Sequence, residues 1–166
     1  MTETILKMQK KVKRYLDKDR YDHTIGVMHT AGCLAMRYGA NLEQALTAGL
    51  LHDCAKCVPA DEKIKLCEKN HIEISDAEYK NPGLLHAKLG AFFARKKYGI
   101  ENEEILRSIE SHTTGRPNMS LLDKIIYIAD YIEPGRDVAP NLPEVRALAF
   151  VDIDACLYRI LEDTLA

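Results

Sequence analysis

Residues 49–56 read Gly-Leu-Leu-His-Asp-Cys-Ala-Lys, and this stretch decides the fold because it ends an apolar helical run on two polar side chains. His52 and Asp53 are metal-ligand types on adjacent backbone positions. Further ligand types lie inside or at the edge of apolar helical patterns at His23, His86, His112 and Asp130. A basic or charged group at such a position is costly without a partner. A buried metal centre enclosed by helices is therefore the leading hypothesis.

The composition predicts one globular domain over residues 1–166. This length can bury a substantial core, and 46% hydrophobic with 29% charged residues is ordinary for a soluble domain. A formal net charge of −2 gives no strongly basic face, so duplex nucleic acid is not an expected partner. No apolar run approaches the roughly 20 residues that cross a bilayer, and the N-terminus has no signal-peptide pattern. We therefore expect a cytoplasmic protein without a membrane partner.

The five cysteines predict free thiols. Their number is odd and their spacing lacks the pattern of disulfide-rich secreted chains. Cys54 and Cys57 form a CxxC pair, but no strand precedes it, as a redox motif would need. No second CxxC is present, as a structural zinc site would need. We interpret the pair as coincidence.

Almost every segment has the three- and four-residue apolar spacing of a helix, and none has sustained strand alternation. Capping and stop signals place predicted helices at about 3–18, 22–38, 41–53, 59–70, 85–98, 102–111, 121–132, 143–150 and 152–165. Residues 71–83 are less regular, and no internal repeat or linker interrupts the chain. The expected fold class is all-α, a single helical bundle with a non-repeating helix order.

Two of the candidate ligands have plain structural alternatives. Asp130 follows a run rich in isoleucine, so we expect it to be buried, and a buried aspartate needs a cation, a metal or several donors. Donation from backbone amides would satisfy it equally well. His23 begins a helical pattern next to Asp22, and a simple pair between these two side chains is the alternative to metal ligation.

His86 and His112 lie where a ligand can approach. His86 is one turn before Gly90, whose missing side chain leaves room for another helix or a ligand. His112 precedes residues 113–116, Thr-Thr-Gly-Arg, which resemble part of an anion site. The alternative is an ordinary polar exit from a helix. Imidazoles mixed with carboxylates favour iron or manganese over structural zinc, which prefers thiolates.

Three cations lie close in sequence to the candidate ligands: Lys56, Arg116 and Arg136. Each could neutralise phosphate oxygens beside a metal. The alternative for each is a solvated surface charge, and that is the only interpretation we give to Lys88 and Lys124.

The order of these residues resembles the HD-domain metal-dependent phosphohydrolases, and more closely the YqeK family of bacterial HD hydrolases. The segments that carry the resemblance are 23–27, 49–56, 84–86, 111–116 and 129–136. The His-Asp pair alone is a weak signal, but the last two segments are specific, and the resemblance covers nearly the whole chain. One departure is Ala87-Lys88, where smaller uncharged residues are expected.

The resemblance implies an all-α HD bundle that hydrolyses diadenosine tetraphosphate symmetrically to two ADP, with iron as cofactor. The ligand types also permit manganese. By position, the core metal ligands are His23, His52, Asp53 and Asp130. His86 and His112 match positions that bind a second metal in related HD enzymes, or else contact the phosphates. Whether one or two ions bind is left open by the sequence.

The corresponding mechanism is attack on phosphorus by a metal-activated hydroxide that Asp53 orients. Thr113 would donate a hydrogen bond to the phosphate chain, and the cations that would hold the chain and stabilise its growing charge are Lys56, Arg116 and Arg136. ADP is a good leaving group once its charge is neutralised, so a dedicated acid is not required. If one acts, His86 or His112 could serve.

Two other functions fit the same residues. A nucleotide or deoxynucleotide phosphatase would release inorganic phosphate from a nucleoside monophosphate, whereas the tetraphosphatase releases two ADP and no inorganic phosphate. A non-catalytic nucleotide-binding module with a metal site would bind nucleotide and never turn it over, but the full ligand set and the nearby cations argue against it. Exposed apolar positions on the closing helices would suit either a homodimer or the core.

Overall fold

The computed structural model describes residues 1–166, and it confirms the all-α class, with ten α-helices and no strand. The helices are α1 (Glu3–Lys13), α2 (Lys18–Tyr38), α3 (Leu42–Leu51), α4 (Ala60–Lys69), α5 (Asp76–Lys80), α6 (Leu85–Tyr98), α7 (Glu103–Glu110), α8 (Leu121–Ile132), α9 (Leu142–Ala149) and α10 (Ile153–Leu165). A single turn of 3-10 helix at Pro82–Leu84 leads into α6. No helix combines the length and the apolarity that a membrane crossing requires.

Most helix boundaries follow from the capping signals in the sequence. The Asn41 side chain accepts the N–H of Gln44 at 3.0 Å and opens α3. A capping box at the start of α8 holds its first turn in the same way. Gly39 and Gly99 end α2 and α6 with φ of +72° and +69°, a left-handed conformation that costs glycine little.

The structure corrects two boundaries near the N-terminus. The predicted helix over 3–18 ends at Lys13, and α2 begins at Lys18 rather than near residue 22. Asp17 caps α2, because its side chain accepts the N–H of Arg20 at 2.8 Å. The apolar spacing concealed this break because Leu16, which lies between the two helices, is buried in the same core as α1.

The stretch 71–83 is more regular than its sequence suggests. Ser75 and Glu78 form a capping box that opens α5, a helix too short for apolar periodicity to reveal. The Glu78 carboxylate also forms an ion pair with Lys88 of α6, with Oε2 and Nζ 2.9 Å apart. Lys88 additionally donates to the Glu73 carbonyl at 2.9 Å. The interpretation of Lys88 as a solvated surface charge is therefore wrong, since it ties α5 and the preceding loop to α6.

The core that positions the site is a cluster of 30 buried residues that runs from Ile5 of α1 to Ile160 of α10. Within it, α2 packs against α3 and α8. Helices α2 and α3 approach each other closely because Gly49 has no side chain, and a Cβ there would lie 2.9 Å from the Met28 Cα. The end of α3, which carries the His-Asp pair, is thereby held beside α2.

Candidate active site

Five helices bring six candidate metal ligands to one place. In chain order, the six residues are His23 (α2), His52 and Asp53 (directly after α3), His86 (α6), His112 (two residues after the end of α7) and Asp130 (α8). The four residues in the middle of this set are buried, whereas the first and the last are partly exposed at the rim. The structure therefore brings together every residue that the sequence suggests as a metal ligand.

Asp53 lies at the centre of this set. One of its carboxylate oxygens faces His86 and His112, which we call the His112 half, and the other faces His23 and His52, which with Asp130 form the His23 half. Its Oδ1 is 3.3 Å from the Nε2 atoms of both His86 and His112. Its Oδ2 is 3.3 Å from the Nε2 of His52 and 3.8 Å from that of His23. One buried carboxylate thus contacts or approaches four imidazoles that come from four different parts of the chain.

Asp130 closes the rim of the His23 half. Its Oδ1 lies 2.9 Å from His23 Nε2 and 3.6 Å from His52 Nε2. Its side chain is 21% exposed, so the expectation of a buried aspartate is wrong in extent. The isoleucines before it do face the core, but Asp130 lies at the edge of that face, beside the half-exposed Arg136.

The ring orientation of three of the histidines is fixed by the backbone. His52, His86 and His112 each place Nδ1 at 2.6 Å from the carbonyl oxygen three residues earlier. Only an Nδ1–H can donate to a carbonyl, so this contact puts a ring proton on Nδ1, and in the neutral ring that ligates a metal the lone pair of Nε2 then points at Asp53. Backbone acceptors of this kind orient the histidine ligands of metal sites.

His23 is oriented in the same sense by a carboxylate. Its Nδ1 lies 3.1 Å from Oε1 of Glu133, a buried residue that follows α8. The other oxygen of Glu133 accepts the N–H of Gly135 at 2.8 Å. Nothing in the sequence singles out Glu133, because its partner lies 110 positions away in the chain.

The resulting arrangement of lone pairs fits a cation. The Nε2 of His52 is buried and has no hydrogen-bond partner. The Nε2 atoms of His86 and His112 are 3.1 Å apart, although both rings carry their proton on the opposite nitrogen. Acceptor atoms that face each other without a proton between them are unfavourable in a buried site. Divalent metal ions bound among these atoms would satisfy them, and nitrogen with oxygen donors suits iron or manganese.

The electrostatics of the site also favour a cation. Burial lowers the pKa of His52, but the charges of Asp53 and Asp130 outweigh it and raise that pKa to about 10. Burial opposes ionisation of Asp53 too, yet the positive charge on His52, together with the close contacts of His112 and His86, holds the pKa of its carboxyl well below the ordinary value. Burial lowers the pKa of His86, which favours the neutral ring that ligates metals. The two ionised carboxylates therefore favour positive charge at this point of the site, which a metal ion would supply.

Two further residues at the site were missed by the sequence analysis. Arg20 places Nη1 3.0 Å from Asp53 Oδ2, and its only sequence signal is that it lies three positions before His23, on the same face of α2. Lys63 of α4 is 5% exposed and donates to the carbonyl of Lys56 at 3.1 Å. Burial lowers the pKa of Lys63. It holds the turn that carries Asp53 and Lys56.

The predicted phosphate-binding residues differ in the polar contacts that their side chains already make within the protein. Lys56 is half-buried and forms no ion pair. Arg136 lies beside the metal-ligand set, with Nη2 3.5 Å from Asp130 Oδ1. Thr113 Oγ1 is 3.3 Å from His112 Nε2. Arg116 is engaged by another group, because its Nη2 lies 2.6 Å from the buried carboxylate of Asp123.

A cavity opens on each side of the centre. One, of about 470 Å³, is lined by Thr113, Arg116, Lys88 and nearby residues, and so begins at the His112 half. The other, of about 400 Å³, includes His23, Arg20 and Arg136 and has no apolar side chain in its wall. The two cavities provide charged and polar walls on both sides of the imidazole cluster.

The cysteines take no part in this chemistry. All five are free thiols. Cys54 is buried and its Sγ lies 3.4 Å from the Gly90 carbonyl. Burial raises the pKa of its thiol to about 12, which keeps it protonated and unreactive. This environment agrees with the interpretation of the CxxC pair as coincidence.

Sequence comparisons relate the chain to known proteins. The HD domain family matches residues 20–135. The chain is 42% identical over 154 residues to the symmetrical bis(5'-nucleosyl)-tetraphosphatase of Bacillus subtilis (strain 168), covering 93% of this chain and 82% of the relative. Identity to the Staphylococcus aureus (strain NCTC 8325 / PS 47) protein of the same name is 33% over 162 residues, covering 96% and 82%.

A solved structure resembles the whole fold. The crystal structure of a predicted HD superfamily hydrolase involved in NAD metabolism, from Clostridium acetobutylicum, superposes with a TM-score of 0.91 at 45% identity. The match covers 96% of this chain and 84% of that one.

Proposed function

This chain belongs to the HD domain family, in the group of the symmetrical bis(5'-nucleosyl)-tetraphosphatases, and on that premise we propose that it hydrolyses diadenosine tetraphosphate to two ADP. The substrate and the symmetrical cut come from the names of its relatives. The observation in this chain that carries the proposal is the convergence of four imidazole Nε2 atoms on the carboxylate of Asp53. Such a centre suits hydrolysis at phosphorus.

The HD domain implies a divalent metal, and we propose that it is iron, with manganese accepted by the same donors. The proposed core ligands are His23, His52, Asp53 and Asp130. The proposed second set is His86 and His112 with the other oxygen of Asp53, which supports two ions rather than one. Bound there, a divalent ion supplies Lewis acidity, which neutralises phosphate charge and lowers the pKa of an attacking water toward neutrality.

The side chains around the centre hold and orient the reactants. Asp53 presents carboxylate oxygens to both halves and so orients the attacking water. Thr113 donates a hydrogen bond from its hydroxyl to a phosphate oxygen on the His112 side, while Arg136 binds the phosphate chain on the His23 side. Lys56 is the free cation near the reacting phosphorus. Arg116 is tied to Asp123, which leaves it only part of its guanidinium for substrate.

The bond changes follow from symmetrical cleavage. A water oxygen forms a bond to the second phosphorus, the bond between that phosphorus and the bridging oxygen to the third breaks, and both halves leave as ADP. The proton released by the water passes to solvent. His86 donates through Nδ1 to the Gly83 carbonyl, and burial lowers its pKa. It therefore suits ligation better than acid catalysis, and the neutralised ADP needs no dedicated acid.

Product analysis tests the reaction itself. We expect anaerobically purified, iron- or manganese-loaded protein to convert one diadenosine tetraphosphate into two ADP, without inorganic phosphate, in a single hydrolytic step. In water labelled with oxygen-18, one label should appear per pair of ADP molecules. Formation of AMP with ATP, or release of inorganic phosphate from a nucleoside monophosphate instead, would contradict the proposal. Tight nucleotide binding without turnover would favour a sensing module.

Several wider expectations stay predictions. The continuous core from Ile5 to Ile160 supports a single domain over residues 1–166. The closing helices expose apolar side chains, among them Tyr158 at 64% and Leu165 at 86%, which a homodimer could cover. Cytoplasmic location and the lack of duplex nucleic acid or membrane partners rest on the sequence alone.

A further inference from the structure

Arg20 has more hydrogen-bond donors than its contact with Asp53 uses. Its Nη1 donates to Asp53 Oδ2 at 3.0 Å, and its side chain remains 33% exposed. A guanidinium carries five N–H donors in a planar fork, which matches the oxygens of a phosphate. The contact to Asp53 is the only hydrogen bond of this side chain. Most of its donors are therefore available to the 400 Å³ cavity that it lines.

A second arginine lines the same cavity. Arg136 donates from Nε to the Asp130 carbonyl at 3.1 Å and approaches the Asp130 carboxylate with Nη2. Its backbone is also held, because Arg146 donates to the carbonyls of Glu133 and Arg136. Arg20 and Arg136 thus each contact one carboxylate of the proposed metal centre, and both line the same cavity.

The acidic residues in the cavity wall are largely engaged elsewhere. Asp17 accepts the N–H of Arg20 as the cap of α2. Glu133 is bonded to His23 and to the N–H of Gly135. Asp19 is left without a partner in the wall, so the two arginines are opposed there by one uncommitted carboxylate. No apolar side chain lines this cavity, which makes it unsuited to a nucleobase and suited to a charged group.

We propose that Arg20 and Arg136 form an anion subsite that binds two or more phosphate oxygens of the substrate half on the His23 side. The proposal rests on the proposed function and adds Arg20 as a substrate-binding residue. With a cation held by Asp53, that carboxylate would no longer need Arg20 for neutralisation, and the Arg20 guanidinium would be free to donate to the phosphate chain. The ligand chemistry is a diphosphate group, whether it belongs to a nucleotide or to inorganic pyrophosphate.

The test compares Arg20→Gln with Arg14→Gln, a matched control that removes the same charge from an exposed position six residues away. Calorimetry on manganese-loaded protein measures the affinity for ADP and for inorganic pyrophosphate, and metal analysis measures the ions per chain. We expect Arg20→Gln to weaken both ligands by about tenfold to a hundredfold, the range for a lost charge-assisted hydrogen bond. Metal content and the control affinities should stay unchanged, Arg20→Lys should restore part of the binding, and KM for the dinucleotide should rise more than kcat falls.

Other results would overturn either the subsite or the proposed reaction, and the two failures can be told apart. Unchanged affinity for both ligands, or a loss of ions that accounts for the weaker binding, would mean that Arg20 only positions Asp53, and the subsite would be overturned. If ADP weakens but pyrophosphate does not, the arginine contacts the nucleoside, which also contradicts the proposal. If wild-type protein binds both ligands through Arg20 yet never cleaves the dinucleotide, the subsite stands and the proposed reaction fails.

Discussion

Replacing Asp53 with alanine abolishes hydrolysis of diadenosine tetraphosphate, with an expected fall in kcat of at least about a thousandfold. The reason is geometric. The Asp53 carboxylate is the group that approaches all four imidazoles and Arg20 within 3.0–3.8 Å. Its removal takes a ligand from both proposed ion positions and the orienting oxygen from the attacking water. Steady-state kinetics and metal analysis on the same sample measure both losses.

The Asp53→Ala protein should still fold. The 30-residue core excludes Asp53, and the Nδ1–H bonds of His52, His86 and His112 to backbone carbonyls do not depend on it. Circular dichroism should therefore show an unchanged helical spectrum and a cooperative melt. Asp61→Ala is the control, since Asp61 is 73% exposed and pairs only at 3.8 Å with Lys65. An Asp53→Ala enzyme that keeps a tenth or more of its activity would refute the mechanism.

The double variant His86→Ala, His112→Ala should lose one of two ions per chain. Their Nε2 atoms are 3.1 Å apart and each lies 3.3 Å from Asp53 Oδ1, whereas His23 and His52 approach Asp53 through Oδ2. The remaining ligands, His23, His52, Asp53 and Asp130, keep the core ion. We expect kcat to fall by about a hundredfold or more, because the variant removes an ion that neutralises phosphate charge. Metal analysis and kinetics on the same preparation measure the outcome.

His29→Ala is the matched control for this experiment, because His29 is an exposed histidine of α2 that lies six positions after His23 and therefore on a different face of the helix. It should keep two ions and full activity. If wild-type protein holds a single ion, or if the double variant keeps two, the second ion position is refuted. His86 and His112 would then be phosphate contacts rather than ligands.

The fold could be predicted largely from local signals. Apolar spacing and helix caps such as Asn41 and Ser120 are local signals, because they lie within a few residues of the helix boundary that they set. The sequence therefore predicts α3 and α8 close to where they lie. The break before Asp17 was missed because Leu16 continues the apolar pattern across it. The five-residue α5 was missed because its capping box was not recognised within a stretch without clear periodicity.

The site could be predicted only as far as ligand types reveal it. Histidines and aspartates in apolar helices are conspicuous, and all six come together. Arg20, Glu133 and Lys63 are ordinary polar residues in the sequence, and their partners lie 33, 110 and 7 positions away. Their roles depend on distances that only the packed helices set. The engagement of Arg116 by Asp123 is invisible for the same reason, because the buried capping residue also serves as an ion-pair partner.

Anomalous diffraction at the iron edge, from crystals of anaerobically purified protein, tests the central claim most directly. We expect two peaks within ligand distance of the Asp53 carboxylate, one beside His23, His52 and Asp130 and the other beside His86 and His112. A map without an anomalous peak at Asp53, in which the His23 ring and the Asp130 carboxylate turn away from each other, would contradict it.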